Sequence, residues 1–108
     1  MELSVNDLKQ ILSRDQVASN PYEETFLKIG GKYLFRTVTM IYTGEIVRMA
    51  GQEIELKTAA WIADTGRFAD NLVSCEFSEV EPYCNNVIIY RGALLDVTEI
   101  NKLPTAQK

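Results

Sequence analysis

The stretch Glu53–Ile62, EIELKTAAWI, alternates between apolar and polar or small residues over its whole length. Successive side chains of an extended backbone point to opposite sides, so this period commits the segment to a strand with two unlike faces. Ile54, Leu56, Thr58, Ala60 and Ile62 are expected on the core side. Glu53, Glu55, Lys57, Ala59 and Trp61 are expected on the other, mainly toward solvent. Four further segments carry strand signals. Lys32–Tyr42, KYLFRTVTMIY, is dense in β-branched and aromatic residues and ends at Thr43-Gly44. Glu45–Ala50 follows, and Gly51-Gln52 makes a tight turn into the alternating strand. Val87–Tyr90 is apolar on both sides, as a doubly covered strand requires, and Gly92 separates it from a fifth strand over Leu94–Ile100.

Helical signals are short. Leu3, Leu8, Ile11 and Leu12 share one face of a helix over residues 3–14, and Ser4 with Asp7 has the form of a capping box. A connection ends at Asn20-Pro21, and Gly30-Gly31 makes another break. Phe68 and Leu72, four apart, predict a second helix near residues 65–73, capped by Asp64 or Thr65. The order is one domain over 1–108: an N-terminal helix and connection (1–20), a strongly bent barrel (32–100) interrupted by an insertion (64–86), and a flexible tail (101–108). Trp61 stands out because it falls with the polar side of its strand. Three coverings are open for it: the helix that follows, a contact between subunits, or a bound ligand.

Composition narrows the chemistry. The chain has no histidine, which removes Ser–His–Asp triads, Cys–His dyads and histidine-bound zinc or haem. Cys75 and Cys84 are too far apart for a C-x-x-C redox pair; a disulfide stays open if the chain folds back, and reduced, buried thiols are the leading expectation. No calcium-loop pattern is present, so neither a metal nor a cofactor is expected. Eleven basic against fifteen acidic side chains give −4, with lysine and arginine scattered singly. Duplex DNA is therefore not an expected partner. No apolar run reaches the ~18–20 residues of a membrane span, and no signal peptide is evident, which points to the cytoplasm.

Two stretches resemble the motifs of Sm-like small barrels. TGEIVRMAGQEIELKTAAW is similar to the first motif, in which a glycine precedes aliphatics, a loop and a strand ending at alanine. VIIYRGALLDV is similar to the second, an aliphatic strand closing on Arg-Gly and entering another. The resemblance covers roughly residues 33–100. It implies a mainly β fold: a small five-stranded, strongly bent SH3/Sm-like barrel with an N-terminal helix and a helical insertion. It also implies assembly into rings and, in the family, a site for RNA bases. Here the first loop reads MAGQE, without aspartate or asparagine, and Arg91-Gly92 is followed by Ala93, so RNA is disfavoured. FRTVTMIYTG and AAWIADTGRFAD also resemble phrases of small uncharacterised bacterial, phage or gene-cassette proteins.

The candidate residues follow from charge and position. Arg36 lies in an otherwise apolar and hydroxyl strand: pointing inward it needs a partner, with Asp64 and Asp96 available, and otherwise it is a water-facing edge residue or an anion-recognising arginine. Trp61, Arg67, Tyr90 and Arg91, at two expected strand ends, could line a pocket for an anionic or aromatic compound. Asp64-Thr65-Gly66 has the wording of an aspartic protease triplet, but a turn explains it better. Glu76, Glu79 and Glu81 could attract a cation or a basic partner, with a solvated acidic loop the plainer reading, and Cys75 has no adjacent base to make it a nucleophile. No catalytic set is complete. The leading expectation is a non-enzymatic, self-assembling scaffold or interaction module forming homo-oligomers. The alternatives are a small-ligand binder and an Sm-like RNA-binding ring.

Overall fold

The computed structural model describes residues 25–108. The helix expected over residues 3–14, with its connection, lies outside the described residues. Half of the described residues are in strands, so the fold is mainly β as expected. The strands are β1 (Lys32–Thr37), β2 (Ile41–Ala50), β3 (Glu53–Asp64), β4 (Glu79–Pro82), β5 (Val87–Tyr90) and β6 (Leu94–Glu99). One short helix, α1 (Phe68–Ser74), joins β3 to β4, close to the predicted 65–73, and a single 3₁₀ turn (Arg91–Ala93) joins β5 to β6. All pairings are antiparallel, in the order β4-β3-β2-β1-β6, with β5 also on β3. The twelve-residue β3 accommodates both neighbours end to end. Glu53–Leu56 pairs with β5, and Ala60–Asp64 with β4.

Two sequence expectations about the first strands are corrected. Lys32–Tyr42 is not one strand but turns at Val38-Thr39, and Thr43-Gly44 lies inside β2. The turn is held by Thr37, whose N–H donates to the Met40 carbonyl (2.8 Å) while its Oγ1 accepts the Met40 N–H (2.9 Å). A hydroxyl thus does locally what glycine or asparagine usually does. Gly44 is not a breaker because β2 and β3 approach closely there.

The alternation of β3 is unbroken in sequence but not in space. Thr43 faces Ala60 and Glu45 faces Lys57, so Gly44 of β2 opposes two residues of β3, Thr58 and Ala59. This is a β-bulge, and Thr58 adopts the left-handed region at φ 51°. Beyond it every side chain changes side. Ile54 and Leu56 therefore enter one core with Tyr33, Phe35, Ile46, Ala59 and Ile89. Ala60 and Ile62 enter a second core, on the opposite face, with Leu34, Cys75, Phe77, Val80 and Ile100. The expected single core side of β3 is thus divided between two interiors. Phe35, Phe77, Ile54 and Leu56 are fully buried, each contributing about 1.5–3 kcal/mol of apolar transfer.

Helix α1 and the segment after it cover the second core through Leu72, Cys75 and Phe77. Both cysteines are free thiols, but only Cys75 is buried as expected, whereas Cys84 is exposed. Residues 101–108, expected to fray, run back along β4. Lys108 exchanges two backbone hydrogen bonds with Val80, each 3.0 Å, and Leu103 packs on the second core. Among the described residues, no helix is long and apolar enough to cross a membrane.

Candidate functional site

β3 carries the groups of interest at its two ends. At the far end, Tyr42 of β2 and Glu81 of β4 lie directly across from Trp61 on either side. Residues directly opposite in antiparallel strands share a face. The same register carries on past β4, where the Tyr83 N–H donates to the Ala59 carbonyl (2.9 Å), so Tyr83 stands beside Ala59. Ala59 is buried and small, and Tyr42 and Tyr83 meet across it with ring centroids 6.3 Å apart at 30°. Burial, and then the neighbouring Tyr42, raises the Tyr83 phenol above its usual range. Trp61 and Tyr83 remain 38% and 40% exposed. Three aromatic rings and a carboxylate therefore project from one face of three adjacent strands.

Trp61 is not covered by the following helix. The bulge at Thr58 turns the indole to the face opposite the one on which α1 packs. Asp64 and Thr65 do not cap that helix with a side-chain hydrogen bond. Asp64 Oδ1 instead accepts the Gly66 N–H (2.8 Å), closing a turn in which Gly66 has φ 72°. Asn71 Nδ2 donates to the Thr65 carbonyl and fixes the turn to the helix. The Asp-Thr-Gly triplet is thus built as a corner.

Arg36 is paired although its side chain is 42% exposed, so burial does not force the pairing. Its guanidinium holds Asp96 of β6 by two hydrogen bonds, Nε to Oδ1 at 2.7 Å and Nη2 to Oδ2. The two residues face each other across β1 and β6. Asp96 is the partner and Asp64 is not. The hydrogen bond from Arg36 holds the Asp96 carboxyl below its usual range. Arg36 also lies over the Phe68 ring at 5.6 Å, joining β1 to α1.

The four residues grouped as a pocket lining are not brought together. Tyr90 pairs with Glu53 and Trp61 lies eight residues further along β3, a separation of about 25 Å at strand rise. Arg91 opens the 3₁₀ turn and donates its backbone N–H to Gln52 (2.7 Å). Arg67 precedes α1, at the Trp61 end. The acidic loop is also more structured than its composition suggests. Glu76 pairs with Lys102 and Lys108 at 3.6 and 3.5 Å, while Glu79 and Glu81 belong to β4. Among the described residues, no group of three acidic or thiol side chains is placed to hold a metal ion. Tyr42 and Tyr83 were not singled out as site residues by the sequence, and Glu81 was considered only as part of an acidic loop. Only the alternation of Val80 with Glu79 and Glu81 hints that they belong to a strand.

Two edges complete the picture. Among the described strands, β5 pairs only with β3, and β6 only with β1. Exposed apolar side chains accompany both: Ile88 and Tyr90 on β5, Leu95 on β6. Compared with known proteins, the chain matches no family model, no curated protein and no solved structure.

Proposed function

We propose that the chain is a non-enzymatic interaction module: a small SH3/Sm-like barrel that assembles with copies of itself by pairing the edge of β5 with that of β6. The observation that carries this reading is the link between those two strands. They stand at opposite ends of the order β5-β3-β2-β1-β6, yet only Arg91–Ala93 separates them. Four strand spacings in a flat sheet span about 19 Å, whereas the four virtual bonds from residue 90 to residue 94 reach at most about 15 Å. Such a link favours a sheet rolled toward closure, with β4 and α1 as the inserted arm.

Rolling without a β5–β6 ladder leaves backbone groups on both strands unpaired, and open strand edges are templates for pairing. Pairing unlike edges is heterologous, so it forms rings where the rotation closes. Ile88, Tyr90 and Leu95 would be covered in the process. Sedimentation velocity at tens of micromolar protein tests the reading. A discrete oligomer that dissociates on combining Ile88→Lys with Leu95→Lys is expected. A wild-type monomer would overturn it. An RNA site is not part of this reading, since the chain carries −4 and its basic residues are dispersed.

A further inference from the structure

We infer that Tyr42, Trp61, Tyr83 and Glu81 form a recognition site for a quaternary ammonium group, carried by a small molecule of the choline type. The site lies on the β2-β3-β4 arm and uses neither the β5 nor the β6 edge, so it is independent of self-assembly. Tyr42, Trp61 and Glu81 are consecutive cross-strand neighbours on one face, and Tyr83 joins them two residues beyond Glu81. Tyr42 leans toward Tyr83 over buried Ala59, at 6.3 Å between ring centroids. A cation seated beside the indole thus shares its face with the Tyr42–Tyr83 pair and with a carboxylate on the adjacent strand.

The chemistry selects the headgroup. Aromatic faces attract a cation through their quadrupole but replace none of the hydrogen bonds that a primary ammonium makes with water. A trimethylammonium group has no such bonds to lose, and its methyl groups gain apolar contact. Glu81 supplies opposite charge, while Glu79 on the same strand and the net charge of −4 disfavour a ligand that also bears a carboxylate. Three strands span only about 10 Å, the scale of one headgroup.

Trp61 is the chain's single tryptophan, so its fluorescence reports on the site directly. The full chain is titrated with choline, with 3,3-dimethylbutan-1-ol as the uncharged shape analogue, with glycine betaine, and with a peptide bearing trimethyl-lysine. Saturable choline binding is expected, with the uncharged analogue and betaine each at least about tenfold weaker. Tyr42→Leu, Tyr83→Leu and Glu81→Gln should each weaken choline by about threefold or more while leaving the sedimentation profile unchanged. Equal binding of the uncharged analogue, or no saturable response to choline, would overturn the inference. So would binding of the peptide without choline, which would make the site a peptide reader. The comparison of choline with its uncharged analogue needs only the wild-type chain, so it holds even where a variant fails to fold.

Discussion

A Cβ placed on Gly44 would lie 2.9 Å from the Leu56 Cβ, closer than real side chains approach. Leu56 is fully buried in the first core, and Gly44 is buried opposite the bulge of β3. Gly44→Ala therefore forces β2 and β3 apart at a point of close approach. A loss of about 1–3 kcal/mol is expected by urea denaturation, with an unchanged m-value.

Thr58 carries the opposite prediction. A β-branched residue in the left-handed region costs about 1–2 kcal/mol, whereas glycine adopts it freely at an entropic cost of about 0.5–1 kcal/mol. Its side chain is exposed, so little packing is lost. Thr58→Gly is expected to raise stability by about 0.5–1 kcal/mol in the same assay. A loss of stability would show that the Thr58 side chain contributes contacts that outweigh backbone strain.

Thr43 is fully buried beside the second core, and its Oγ1 has no hydrogen-bond partner. An unsatisfied hydroxyl in such a place costs about 1–3 kcal/mol, and valine has nearly the same shape without it. Thr43→Val should raise the thermal midpoint. Thr43→Ala, which leaves a void instead, should lower it.

The strands were legible where side-chain period and turn chemistry agreed. Gly51-Gln52 reverses the chain between Ala50 and Glu53, as the glycine indicates, and the alternation beyond it is a strand throughout. Asp96 was legible as one of two carboxylates available to Arg36, but the exposure of the pair was not. Other features were hidden for identifiable reasons. Val38-Thr39 looks like strand because its turn is closed by the Thr37 hydroxyl. The bulge leaves no mark because threonine stands where glycine usually would. β4 buries a single side chain, Val80, between two glutamates and ends on proline, so it reads as an acidic loop. Missing β4 also concealed Tyr83 and Glu81 as neighbours of Trp61. Side-chain period identifies strands, but it cannot say which strands become adjacent.

The Arg36–Asp96 pair sets a dependence on pH. Asp96 has a lower pKa in the folded chain than in the unfolded one, chiefly through its hydrogen bond from Arg36. The unfolded state therefore takes up this proton first as the solution is acidified. The contribution is complete above the ordinary carboxylate range, about pH 4, and is lost as pH falls through the folded value. Glu55, held down first by Asn86 and then by Arg48, acts in the same direction. Urea denaturation of wild type and Asp96→Asn should differ most near neutrality and converge toward pH 2. A difference that grew on acidification would contradict the assignment.

The kink at Thr58 makes one continuous backbone the shared spine of two dry interiors. Loosening the spine on either side of the kink withdraws a wall from both. The end of β3 that bears Trp61 is thus coupled to the end that pairs with β5, and the two should melt together rather than in turn.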